Sequence, residues 1–191
     1  MVIKAAELEP DQVERNIKRL LRETDRKGIE ELIQHLDKVQ FFSQPASTKF
    51  HGAFPGGLAA HSLQVFFLYE EQARELESVN KSLDTIAITT LLHDLCKSGA
   101  YIPIKGPLIY KWNKKHPEGH GRLSAFIVKH FIELTNEEEA MIRYHMGFWY
   151  SIQSNDKKGE YPLSKINEVF NKVPSAKLLH LCDEISSLMG V

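Results

Sequence analysis

Apolar residues recur at three- and four-residue spacings along most of this chain, and that periodicity leaves little room for anything but packed helices. Val13, Ile17, Leu20 and Leu21 follow it, as do Ile29, Leu32, Ile33, Leu36 and Val39. Gly28 stands between the two runs as their natural break. Both runs are amphipathic and heavily charged, which predicts a helical arm over 1–43 packed on a main domain over 44–191. Pro45, Pro55 and Gly56-Gly57 forbid continuous helix in the loop that follows. Beyond it, "LAAHSLQVFFLYEEQARELE" reads as a long, largely buried helix, and "LDTIAITTLLHDLCK" as a strongly apolar one that Gly99 ends. Between 100 and 119 the pattern changes. Ile102, Ile104, Leu108, Tyr110 and Trp112 alternate about Gly106-Pro107, the mark of a small extended hairpin or lid. Helix returns in "HGRLSAFIVKHFIEL". Thr135 with Glu138 forms a capping-box signature for the next helix. After a polar loop at 150–162 come a short helix at 163–171 and a last one opened by Pro174-Ser175. The expected fold is all-α.

Composition narrows the function classes. With 191 residues, 42% of them hydrophobic, the chain is long enough to bury a real core in one domain with an appended arm. A formal charge of −1 supplies no bulk positive field for nucleic acid or anionic lipid. No apolar run nears the ~20 residues of a membrane span, and the N-terminal stretch lacks the apolar core of a signal peptide. A cytoplasmic protein without membrane attachment is the expectation. Cys96 and Cys182 are too few for a disulfide scaffold and are read as small buried core residues.

The unusual figure is nine His. In "LLHDLCK", His93 and Asp94 sit among Ile86, Ile88, Leu91, Leu92 and Leu95, and burying a carboxylate beside an imidazole is costly unless the pair is hydrogen-bonded or binds metal. His61 lies on an apolar face in line with Val65 and Leu68. His120 opens a helix between flanking glycines, His145 lies near a helix end, and Asp183 sits on the last helix. Each alone fits a hydrogen-bonded core residue at least as well as a ligand. Their joint occurrence on five separate helices is what points to a shared site.

"GGLAAHSL", "LLHDLCK", "PEGHGRLS", "IRYHMG" and "LCDEIS" together resemble the HD-domain superfamily of metal-dependent phosphohydrolases, over about residues 45–190. The likeness is nearest to the branch with two extra histidines and two metals. "FHGAFPGGLAAHS" and "HMG" also resemble the HD part of a bacterial 3′–5′ exoribonuclease family and small uncharacterised HD proteins of bacteria and phages. The resemblance implies an HD helical bundle in which His61, His93, Asp94 and Asp183 bind one metal. Asp94 would bridge to a second, held also by His120 and His145. Imidazole and carboxylate suit Fe, Mn, Co, Ni or Zn. Asp94 and Lys97 are the implied catalytic residues. Lys97, three residues after Asp94, can reach the open side of the site, with a helix-end lysine as the bland alternative. Lys49, His51, Lys115 and Arg122 are the further candidates for substrate phosphate. The expected substrate is a small phosphorylated molecule, a nucleotide or a short oligonucleotide. Two alternatives stay open: a di-iron HD oxygenase using the same ligand set, and a nucleotide-binding regulatory module. The amphipathic arm would suit a homodimer.

Overall fold

The computed structural model describes residues 8–48, 51–104, 106, 109–117, 119–151 and 161–190. It is a helical bundle: α1 (Pro10–Glu23), α2 (Ile29–Lys38), α3 (Gly57–Glu75), α4 (Leu83–Leu92), α5 (His120–Lys129), α6 (Asn136–Tyr144), α7 (Leu163–Lys172) and α8 (Pro174–Leu188). Between α4 and α5 the short strands β1 (Tyr101–Pro103) and β2 (Tyr110–Trp112) pair antiparallel. The expected hairpin is therefore present, and the all-α reading holds around it.

Local chemistry sets the helix limits. Pro10 opens α1, and Glu9 and Gln12 close a reciprocal capping box there. Thr135 and Glu138 do the same for α6. Gly28 adopts φ +89°, and a Cβ at that position would lie 2.0 Å from the Phe131 carbonyl oxygen. Only glycine lets α2 begin so close to the chain leaving α5.

The central element is α3, which packs against α1, α4 and α8. It is buried on nearly every side along its first three turns, polar His61, Ser62 and Gln64 included. The arm does not form a core of its own. Val13, Ile17, Leu21, Leu32 and Leu36 belong to one continuous apolar cluster with Leu63, Leu91, Val128, Met141 and Leu179. Fully burying side chains such as Ile17 and Leu21 stabilises the bundle by about 1.5–3 kcal/mol each. A polar tie reinforces the contact: the Arg26 guanidinium, between α1 and α2, pairs with buried Glu138 at 2.7 Å. Among the described residues, no helix is long and apolar enough to cross a membrane.

The apolar helix expected to run on to Gly99 ends earlier. α4 stops at Leu92, His93 caps it, and Leu95–Lys97 form a 3₁₀ turn. That break shapes the site.

Candidate metal centre

His93 and His145 are positioned by the same local device. Each is the capping residue at a helix C-terminus, with nearly equal backbone angles (φ −56°, ψ −35° and φ −57°, ψ −32°). The last carbonyls of a helix lack partners along the helix. His93 Nδ1 takes the Thr90 carbonyl at 2.7 Å, and His145 Nδ1 takes that of Ile142 at 2.7 Å. An Nδ1–H bound to a carbonyl leaves the lone pair on Nε2. On α3, His61 is anchored by the same nitrogen, Nδ1 lying 3.0 Å from Ser186 Oγ of α8.

The Nε2 ends converge. His61 Nε2 is 3.0 Å from Asp183 Oδ1 and 3.9 Å from Asp94 Oδ2. His93 Nε2 is 3.5 Å from Asp94 Oδ2 and 3.8 Å from Asp183 Oδ1, and His145 Nε2 is 3.5 Å from Asp94 Oδ1. Three overlapping groups, each with its potential ligand atoms within 4.8 Å of one another, result: His61, His93 and Asp94; His93, His145 and Asp183; Asp94, Cys96 and His120. All six residues singled out as metal ligands fall in them. His93 Nε2, His145 Nε2 and both Asp94 oxygens are shut from solvent without a hydrogen bond of good geometry. Buried polar atoms left so cost free energy. Divalent cations seated among them would satisfy these atoms, so the donor set fits a metal site.

The 3₁₀ turn brings in Lys97. Its N–H donates to the Asp94 carbonyl at 2.8 Å, and side chains three apart eclipse in such a turn. Lys97 Nζ therefore rests 2.6 Å from Asp94 Oδ2. Burial works against both charges, but each sustains the other: the ammonium and His93 hold Asp94 well below the usual carboxylate range, and Asp94 holds Lys97 above its ordinary value. Asp183, also opposed by burial, is held low by its hydrogen bond with His61. Burial pushes His93 and His120 down to about 4. His145 moves the other way, since contact with Asp94 outweighs burial. Near neutral pH the cluster thus offers ionised carboxylates beside neutral His93 and His120, the forms that bind a metal.

Other candidates scatter. His51 stands against His61, ring centroids 5.1 Å apart, and burial pushes it down to about 4. Lys115 is exposed in the turn after β2. Arg122 is exposed in a groove of about 420 Å³ with Phe126, Lys129 and Arg143, none of them in the cluster. Lys49 lies outside the described residues, as does most of the loop expected at 150–162.

Two features had no sequence signal. Buried Cys96 brings Sγ to 3.5 Å from His120 Nδ1, so this thiol lies within the cluster as well as the core. His180, on α8, donates from Nδ1 to the His145 carbonyl at 2.8 Å. Gly147 makes room for it, because a Cβ there would lie 2.5 Å from the His180 ring.

A family model described as HD domain matches residues 58–187, which contain every member of the cluster. The chain belongs to the HD-domain family. HD domains are generally metal-dependent hydrolases that bind divalent ions, and the His/Asp groups of this one could hold a metal. A search of curated proteins and a search of solved structures each returned no match.

Proposed function

We propose that this HD domain is a metal-dependent phosphohydrolase cleaving a phosphomonoester or phosphodiester of a nucleotide-like substrate with a metal-activated water. One observation carries the reading: His61, His93 and His145 are each anchored through Nδ1, which turns their Nε2 atoms in on Asp94 and Asp183. His61, His93, Asp94 and Asp183 would hold one divalent transition-metal ion, and His120 and His145 a second, with Asp94 shared. Bound there, such ions supply Lewis acidity and a hydroxide-like nucleophile near neutral pH. The chain's own groups prepare the rest. Asp94 and Asp183 stay ionised across the physiological range. Lys97 keeps its proton at Nζ, a fixed positive charge at the edge of the cluster where a phosphoryl oxygen would gain negative charge. His51, against His61, forms part of the wall.

Elemental analysis of the purified protein, with His93→Ala and Asp94→Ala beside it, tests the site. The expected result is about two ions per parent chain, as in two-metal hydrolases, and none in the variants. A phosphoester panel run under nitrogen with Mn or Co tests the reaction. Turnover should persist without oxygen. A metal-free parent from metal-replete buffer, or activity that requires O₂, overturns the proposal, the latter in favour of an oxygenase.

A further inference from the structure

The hairpin carries an aromatic face that the hydrolytic groups do not use. Successive strand residues point to opposite faces of a ribbon. The register pairs Tyr101 with Trp112 and Pro103 with Tyr110, so these four share one face, while Ile102 and Lys111 share the other. Tyr101 and Trp112 pack edge to face, centroids 5.6 Å apart at 74°. Trp112 also meets His120 at 6.1 Å and 76°, and His116 at 5.5 Å and 84°. Because His120 belongs to the cluster, this face adjoins it. Tyr101 stands near enough to feel the charges of Lys97 and Asp94.

Backbone hydrogen bonds hold the ribbon to the Lys97 turn. The Ala100 N–H donates to the Lys97 carbonyl at 2.9 Å, and the Asn113 N–H to the Ala100 carbonyl at 2.8 Å. The Asn113 amide reaches the Gly99 carbonyl at 3.2 Å. The aromatic pair is thus placed relative to the cationic edge of the cluster by the main chain. Trp112 nonetheless keeps 39% of its surface exposed, and among the described rings it meets, none lies parallel to it. An indole with edge-on neighbours and open surface can take a flat partner.

We propose that Tyr101 and Trp112 form a nucleobase-stacking subsite beside the cluster, so that the substrate is a phosphate ester carrying a purine or pyrimidine rather than a plain sugar phosphate. The placement of the phosphate rests on the phosphohydrolase reading; the base contact does not. Stacking accepts any base, because every base has a π-face. The subsite therefore selects a substrate class.

The chain has two Trp, so Trp149→Phe leaves Trp112 as the reporter. Adenosine 5′-monophosphate and ribose 5-phosphate are titrated into that variant while its emission is followed. Equilibrium dialysis then compares both ligands on the parent, Trp112→Ala and Trp112→Phe. The nucleotide should quench saturably and ribose 5-phosphate should not. Trp112→Ala should weaken nucleotide binding about tenfold or more and leave ribose 5-phosphate unchanged, while Trp112→Phe recovers most of the loss. Quenching by both ligands or by neither overturns the subsite, as does equal weakening of both by Trp112→Ala. The two readings fail separately. A nucleotide that quenches and is never hydrolysed removes the hydrolase and keeps the subsite. Phosphoester hydrolysis indifferent to the base and to Trp112→Ala removes the subsite and keeps the hydrolase.

Discussion

Glu138 and Asp94 are both carboxylates shut away from water, 0% and 1% exposed, yet they are held in opposite ways. Glu138 is saturated with donors. Oε1 accepts from Thr85 Oγ1 at 3.0 Å and from Arg26 at 2.7 Å, and Oε2 accepts from the Thr135 N–H at 2.9 Å. Those donors come from the arm, from α4 and from the start of α6, so the carboxylate joins three parts of the bundle. Asp94 has one firm partner, the Lys97 ammonium, and otherwise faces imidazole nitrogens at 3.5–3.9 Å. Equal burial with unequal satisfaction separates the two roles. A buried charge whose hydrogen bonds are complete holds the fold, and one left short of partners marks a place where a ligand completes them.

The largest effect that sharpens this contrast is on Asp94. Asp94→Asn should bring phosphoester hydrolysis to background and remove bound metal, measured by turnover and elemental analysis; retained metal and activity would erase the distinction. Glu138→Ala should do the converse. Breaking a buried pair costs about 3 kcal/mol, which lowers the melting temperature by about 6–12 °C in a protein of this size. The metal content of the folded fraction should not change. An intermediate loss is expected from Ser186→Ala, which removes the hydroxyl that orients His61. Metal affinity should fall roughly 10–100-fold with little change in melting temperature, as titration against a competing chelator would show.

Acid separates the two regions in pH. His51, His93 and His120 have folded values of about 4, against an ordinary 6.5. The unfolded chain therefore takes up their protons first, and the metal-free protein should lose stability as pH falls from about 6.5 towards 4. His145, raised, adds its stabilisation as pH falls to 6.5, and that contribution is already in place through this window. Glu138 acts lower down. Burial raises its pKa, but the Thr135 N–H and Arg26 more than reverse this. Its folded value thus lies below the ordinary 4.5, and its contribution, complete above 4.5, disappears on acidification through the folded value. Urea midpoints against pH should show a decline above pH 4.5 that Glu138→Gln leaves alone and a lower one that it flattens. A midpoint constant from pH 6.5 to 4 contradicts this assignment.

Much of the fold was legible because its signals are local. The spacing of Val13, Ile17 and Leu21, the break at Gly28, the Thr135–Glu138 capping box and the alternation around Gly106-Pro107 act within a few residues of backbone. They set the elements that the structure contains. The end of α4 was not legible, because the apolar run continues past it while His93 turns its ring back on Thr90. Cys96 is a plain small core residue by composition; only the packing of α5 against the 3₁₀ turn brings His120 to its sulfur. Arg122, close to His120 in sequence, points into a different groove because residues two apart on a helix face different ways.

By itself the sequence determined the helical class and the identities of the imidazoles and carboxylates that an HD domain brings together. Tertiary structure decided which nitrogen of each ring faces the carboxylates, that the arm joins the main core and is tied to it by Arg26 and Glu138, and that the hairpin sets Tyr101 and Trp112 beside the cluster. The reason is range. Periodicity and caps are written over single turns of chain, whereas His61 and its Ser186 partner are 125 residues apart and meet only when α3 and α8 pack.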